Sequence, residues 1–288
     1  MSQAQTRTEP LIRNISDTAR WVAAIRAQET ERPDAVFRDP YARRLAGERG
    51  AEIAEKMAYG KRNAWPFVAR TVLIDQFVAE QVGQGVDLVV NLAAGLDTRP
   101  YRMSLPPALQ WVEVDLPEIL SYKEKILAGE KPVCTLERVR MDLANASARR
   151  AIFEELGRRA QKALILTEGL IVYLTAEEVG SLAQDLAGVP SFRGWVLDLA
   201  SPGLLRMLQK NLGPNLAPAG ATLQFGPAEG PGFFSKYGWQ VVDVRSLLKA
   251  AARIKRLSFV MRLVALLPAS NGPQGSRPWS GICLFARQ

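Results

Sequence analysis

The chain contains no histidine. The side chain most often used as a general base near neutral pH is therefore missing, and any proton transfer must fall to Asp, Glu, Lys or Tyr. Cysteine is nearly as scarce. Cys134 and Cys283 are too few and too far apart for a disulfide framework or a metal cluster, so no metal is expected. Long apolar runs are missing as well: the best candidate, residues 257 to 269, is short and interrupted by Arg262, which excludes a membrane span. Residues 1 to 10 hold no apolar stretch of the kind a secretory signal needs. Together these absences lead us to expect a reduced, cytoplasmic protein.

The rest of the composition is that of an ordinary soluble globular chain. Hydrophobic residues make up 48% and charged residues 23% of its 288 positions, a length that suits one α/β domain with insertions. The formal charge is +8. Its basic residues are scattered, with small groups at Arg149-Arg150, Arg158-Arg159 and Arg253 to Arg256, as on solvated helix faces. With no basic tail and no basic patch interleaved with aromatics, a nucleic-acid partner is not expected. Excess positive charge would instead steer an anionic small molecule to the surface.

The most informative segment is Val86 to Arg99. Leu88 to Leu92 is apolar except for Asn91, as in a central parallel strand covered on both faces. Ala93, Ala94 and Gly95 follow, allowing a ligand close to the backbone, and Asp97 and Thr98 can cap the next helix. The loop matches neither G-x-G-x-x-G nor G-x-x-x-x-G-K-[ST], which argues against a nicotinamide enzyme and against a phosphate-cradling loop. Leu109 to Asp115 reads as the second strand. Its terminal Asp115 stands where a ribose hydroxyl would find its acceptor, or it caps the helix that follows. Two further strands end in acid, at Asp142 and Glu168. Their repetition predicts a single crevice at the switch point of an open sheet.

Three motifs then carry a resemblance: Asn91 to Arg102, Glu113 to Glu118 and Thr167 to Leu174. With Trp21 to Glu29, Phe37 to Ala42 and Val68 to Thr71, they resemble the leucine carboxyl methyltransferase-like family of S-adenosylmethionine-dependent enzymes, over most of the first 180 residues. The bacterial branch of that family includes O-methyltransferases of polyketide and other secondary metabolism. The resemblance implies S-adenosylmethionine as cofactor and a role for each matching residue. Arg70 would pair with the cofactor's methionine carboxylate, and Gly95 would lie under its methionine and ribose portion. Asp115 would accept from the ribose, Asp142 and Leu143 would flank the adenine, and Glu168 would lie near the amino end. Ala93 stands where the family often has the first glycine of Gly-x-Gly, a harmless exchange only if that residue needs no positive φ.

The alternation of strands and helices predicts a class I methyltransferase (Rossmann-like) sheet, mostly parallel with an antiparallel closing strand. We expect strands ending near Val90, Val114, Met141, Leu166 and Leu199, then two closing strands at 238–244 and 279–286. Residues 1–85 would form an N-terminal helical cap of the same domain, and 86–288 the cofactor-binding core. The Gly- and Pro-rich stretch around 201–235 would be a lid-like surface insertion.

In-line methyl transfer mainly requires alignment and exclusion of water. A carboxylate is already a nucleophile at neutral pH, whereas a phenol or alcohol usually needs a base. Lacking histidine, the chain is read as a small-molecule O-methyltransferase that prefers a carboxylate. A hydroxyl acceptor, a protein C-terminal carboxyl or a catalytically silent binding protein are the alternatives. Tyr173 would position the acceptor or pack the following helix. Arg99 and Arg102 would attract an acidic substrate or support the loop. Trp21, Arg26 and Tyr41 are candidates for the substrate cap, with core packing favoured for Trp21.

Overall fold

A computed structural model describes residues 10–57, 64–267 and 275–288. Its centre is a seven-stranded sheet in the order β3-β2-β1-β4-β5-β7-β6. The strands are β1 (Leu88–Leu92), β2 (Gln110–Asp115), β3 (Thr135–Arg140), β4 (Ala163–Thr167), β5 (Phe192–Ala200), β6 (Trp239–Ser246) and β7 (Ser280–Arg287). All five residues of β1 are buried, which is why the run reads as apolar without alternation. β1 pairs in parallel with both β2 and β4, while β7 runs antiparallel to β5 and β6. The chain winds outward from β1 to β3 and returns beside β1 as β4. Their carboxyl ends therefore open the crevice that such a reversal creates.

Helices cover both faces. On one lie α6 (Ala146–Arg159) and α7 (Ala176–Ala187), which bury Phe153, Leu156, Val179 and Leu182 against the strands. Thr175 starts α7 with a complete capping box to Glu178, the boundary its sequence suggests. Beyond them Trp195, Phe234, Trp239 and Phe285 pack edge-on, with centroids 4.9–6.3 Å apart. On the other face lie α3 (Trp65–Gly83) and α9 (Leu247–Arg253). Ile74, Phe77 and Val78 of α3 meet Val89, Trp111, Leu164 and Val196. Truncating the fully buried Phe77 would leave a void beneath the sheet, at a cost of about 3–5 kcal/mol.

The expected N-terminal cap divides in two. α1 (Ile15–Thr30) and α2 (Ala42–Lys56) form a third cluster, in which Trp21, Ile25, Leu45 and Ile53 join Leu96, Tyr101 and Ile119. α3 belongs to the sheet instead, because its apolar stripe faces the strands. Within the Gly/Pro-rich stretch lies the fifteen-residue α8 (Pro202–Leu216). Ser201 caps α8, accepting from Leu204 N–H at 3.2 Å, and Pro202 occupies the first turn, where its missing N–H costs nothing. Leu205, Leu212 and Leu216 bury one face against the cap, and this packing carries the helix through Gly213-Pro214. The remaining helices are α4 (Arg99–Arg102), α5 (Pro117–Ile126) and α10 (Phe259–Ala265).

Candidate cofactor and acceptor site

Polar residues at or near the carboxyl ends of β1, β2, β4 and β5 converge. A cavity of about 620 Å³ opens at the carboxyl ends of β1, β2, β4 and β5, roofed by α1 and α8 and walled by α3. Asn91, Asp97, Asp115, Glu168 and Asp198 line one part of it. Arg26, Arg70, Arg99, Arg102 and Arg256 also line it, together with apolar side chains such as Phe67, Val172, Leu204 and Leu212.

The loop after β1 turns on two left-handed residues, Ala93 at φ 52° and Gly95 at φ 50°. The proviso on Ala93 is therefore not met, and its methyl group is held in a conformation that favours glycine. Gly95 N–H donates to Asp115 Oδ2 at 2.6 Å and Leu116 N–H donates to Oδ1 at 2.7 Å. Asp115 thus clamps the loop from the neighbouring strand and does not cap α5, whose first turn has no side-chain cap bond. Burial pushes the Asp115 carboxyl up from its ordinary range, against the pull of those two N–H groups. Leu116 and Ile119 continue the wall beside it.

Arg70 of α3 faces Glu168 and Asp198. Its Nε lies 2.9 Å from Glu168 Oε1 and its Nη1 3.2 Å from Asp198 Oδ2. The Nε is nevertheless buried without an aligned acceptor, because the Glu168 oxygen is close but off the N–H axis. Burial opposes the guanidinium charge, yet the two carboxylates raise its pKa. Glu168 also accepts from Arg99 Nη1 at 2.9 Å. Burial alone would raise the Glu168 pKa, but Arg99 and Arg70 outweigh it and hold this carboxyl below its usual range. Gly169 follows at φ 66°, and a Cβ there would come within 3.2 Å of Arg70 Nη1, so its smallness keeps the arginine in place.

Arg99 and Arg102 do not stand free to attract a substrate. Arg99 bonds Asp75 at 2.7 Å and Asp97 at 2.9 Å as well as Glu168, and Arg102 bonds both oxygens of Asp75 at 2.7 and 2.8 Å. Their charge is compensated on site, which leaves them the loop-supporting role. Asp97 is held down to about 2, with Arg99 foremost among the cations that overcome its burial. It receives Asn91 Nδ2 at 2.8 Å, which explains the one polar residue in an apolar strand. Thr98 does not cap α4 but donates to Asp39 Oδ2 at 2.7 Å. Arg26 bonds the same Asp39 at 2.9 Å and the Leu96 carbonyl at 2.6 Å, fastening the cap to the loop.

Tyr173, in the short 3₁₀ turn Ile171–Tyr173, lines the cavity. Burial raises its phenol pKa, with Arg70 and Thr18 pulling the other way. Trp21 lines the cavity and packs edge-on against Phe67 at 5.0 Å. Tyr41 turns instead toward Tyr101. Asp142 and Leu143 leave β3 at the same end of the sheet but outside the cavity wall. Asp142 accepts from Ala144 N–H at 2.9 Å in the turn before α6.

The sequence that builds this crevice also matches a known family. The leucine carboxyl methyltransferase profile covers residues 19–187. The chain belongs to the leucine carboxyl methyltransferase family. It is 34% identical over 261 residues to a protein of Parafrankia sp. (strain EAN1pec), spanning 81% of this chain and 79% of that one. It is 31% identical over 267 residues to one of Frankia alni, spanning 88% and 91%. A Mycobacteroides abscessus protein is 34% identical over 199 residues, and there the chain spans 63% of the relative's length. All three are described as "Putative S-adenosyl-L-methionine-dependent methyltransferase". Among solved structures, a DUF574 family protein from Streptomyces avermitilis aligns with TM-score 0.60 at 12% identity, covering 94% of this chain and 97% of that one. A Thermobifida fusca "putative methyltransferase" aligns at 0.56 and 15%, covering 96% of each. At such identities the structures speak for the fold, which is that of class I methyltransferases. S-adenosylmethionine is thus the cofactor of this methyltransferase, and Arg70 and Asp115, both in the cavity wall, are a cation and a carboxylate suited to it.

Asp198, Asp39 and Asp75 are residues of the networks around the cavity that the sequence did not single out. Asp198 carried the same signal as the other acidic strand ends and was readable. Asp39 and Asp75 lie in or beside helices, and only the fold brings them to the loop.

Proposed function

We propose that the protein transfers a methyl group from S-adenosylmethionine to a carboxylate oxygen of a small, largely apolar molecule. When bound, the cofactor supplies an activated methyl group on a sulfonium. Arg70, in the cavity wall, holds its methionine carboxylate. Asp115 receives its ribose hydroxyls, Leu116 and Ile119 flank its adenine in place of Asp142 and Leu143, and the turn at Ala93 and Gly95 lets it approach the backbone. Glu168 takes the amino end. The acceptor occupies the apolar part of the cavity beneath α8, where Leu204, Leu208 and Leu212 exclude water, and Tyr173 donates a hydrogen bond to it.

The observation that carries the carboxylate reading is the make-up of the wall. Arg99 and Arg70 hold the Glu168 carboxyl below its usual range, which weakens it as a base, and burial raises the Tyr173 phenol. No histidine, lysine or cysteine lines the cavity among the described residues. A carboxylic acid needs no such help, because it arrives ionised. The decisive test is the product of any turned-over substrate. Mild alkali should hydrolyse it and release methanol, as for a methyl ester, whereas a base-stable methyl ether would reject the carboxylate acceptor.

A further inference from the structure

The net charge is not spread along the chain. Asp243 is the last acidic residue, and residues 244–288 contain eight Lys and Arg and no Asp or Glu. The first 243 residues are therefore balanced, and the whole excess of +8 belongs to the C-terminal segment. In the middle of it lies α10 with the two residues that follow. Phe259, Val260, Leu263, Val264, Leu266 and Leu267 are all exposed there, Phe259 at 75% and Leu266 at 80%. They are half of the large apolar side chains exposed among the described residues, gathered within nine positions. The spacing puts them along one side of the helix, while Ala265 and Met261 pack inward. Such a patch is unusual on a soluble surface and marks a contact face.

The surrounding charges have one sign. Arg253, Lys255 and Arg262 are exposed, and no salt bridge reaches them among the described residues, whereas Arg256 is tied to Glu29 at 2.7 Å and to Asp34 at 3.0 Å. A two-fold contact between copies would set these cations against their own kind, with no acid in the segment to pair them. An anionic lipid surface offers apolar depth and negative charge together. The inner side of the same corner supplies Ser258 and Met261 to the cavity wall.

From this patch, its unpaired cations and its place at the cavity we infer that the α9–α10 corner docks the protein peripherally on an anionic lipid surface, beside the opening through which an apolar acceptor enters. This differs from spanning: no described helix is long and apolar enough to cross a membrane. Vesicle binding is read without turnover, so its failure would leave the methyl-transfer reading untouched.

The test is cosedimentation of the full chain with phosphatidylcholine vesicles containing phosphatidylserine, and with phosphatidylcholine alone. The protein should bind the anionic vesicles, bind the neutral ones far less, and be released by high salt. Phe259→Asp with Leu263→Asp should lower vesicle affinity by about tenfold or more, since binding follows the apolar area inserted. That variant should keep wild-type affinity for S-adenosylhomocysteine, which also reports that it folds. Lys255→Glu with Arg262→Glu should weaken binding to anionic vesicles alone. Absence of binding to anionic vesicles would overturn the inference. So would equal binding by the wild type and the aspartate variant, or a wild-type dimer in sedimentation velocity that the aspartate variant converts to monomer.

Discussion

Two buried charge networks sit at the carboxyl ends of this sheet, and they differ in closure. Beneath α5, Glu113 and Lys123 are fully buried; Lys123 Nζ donates to Glu113 Oε1 at 2.6 Å and Arg138 Nε to Oε2 at 2.9 Å. Arg138 then reaches the Tyr101 hydroxyl at 2.7 Å. Each carboxylate oxygen has its donor, and none of the three ionic groups borders the cavity. The second network, Arg70, Glu168, Asp198, Arg99 and Asp75, borders the cavity throughout except at Asp75, and its Arg70 retains an unaligned buried Nε. Closed networks hold structure. One that borders a cavity is suited to receive a further charged group.

The largest effect should fall on the closed network. Lys123→Ala leaves Glu113 buried with half its compensation and should cost about 3–5 kcal/mol in urea denaturation, with cofactor affinity unchanged in the folded protein. Replacing both partners by apolar residues of similar volume should recover most of that loss. On the open network the balance reverses. Arg70→Ala should weaken S-adenosylhomocysteine binding by about 2–5 kcal/mol in calorimetry, with a smaller loss of stability than Lys123→Ala. Arg70→Lys should restore only part, because a point charge cannot reproduce the planar fork.

A smaller effect concerns acid. Asp97 is depressed from 3.8 to about 2, so its contribution is present above pH 4 and is lost as pH falls toward 2. By linkage this shift is worth about 2 kcal/mol. Asp97→Asn should lower stability at pH 7 by about that amount and flatten the acid limb of the stability profile. The smallest effect is a gain. Ala93→Gly removes a left-handed alanine and should stabilise the protein by roughly 0.5–1 kcal/mol, after allowing for the added freedom of the unfolded chain. No gain would place the observed φ of 52° outside the strained region.

The difference between the networks also shows what the sequence could reveal. β4 was legible because it is an apolar run followed by an acidic residue, and β2 because it is a largely apolar strand ending in one, which led directly to Glu168 and Asp115. The same rule covered Asp198 but was not applied to β5. α8 was hidden because Gly213-Pro214 signals a break, and the packing of Leu205, Leu212 and Leu216 overrides that local signal. Arg99 and Arg102 were legible as basic residues beside the loop. Their partner Asp75, however, lies one helix earlier in the chain, and pairing across such a separation is decided by the fold. The acid-free segment from 244 onward was visible all along, but the total charge concealed where the excess resides.

The central claim is that the open network receives the carboxylate of the cofactor's methionine portion at Arg70. The direct measurement is a cycle in which wild type and Arg70→Ala are each titrated with S-adenosylhomocysteine and with methylthioadenosine, which lacks the amino-acid carboxylate. Wild type should prefer S-adenosylhomocysteine, and Arg70→Ala should lose this preference while binding methylthioadenosine as before. Equal loss for both ligands, or an undiminished preference in the variant, would contradict it.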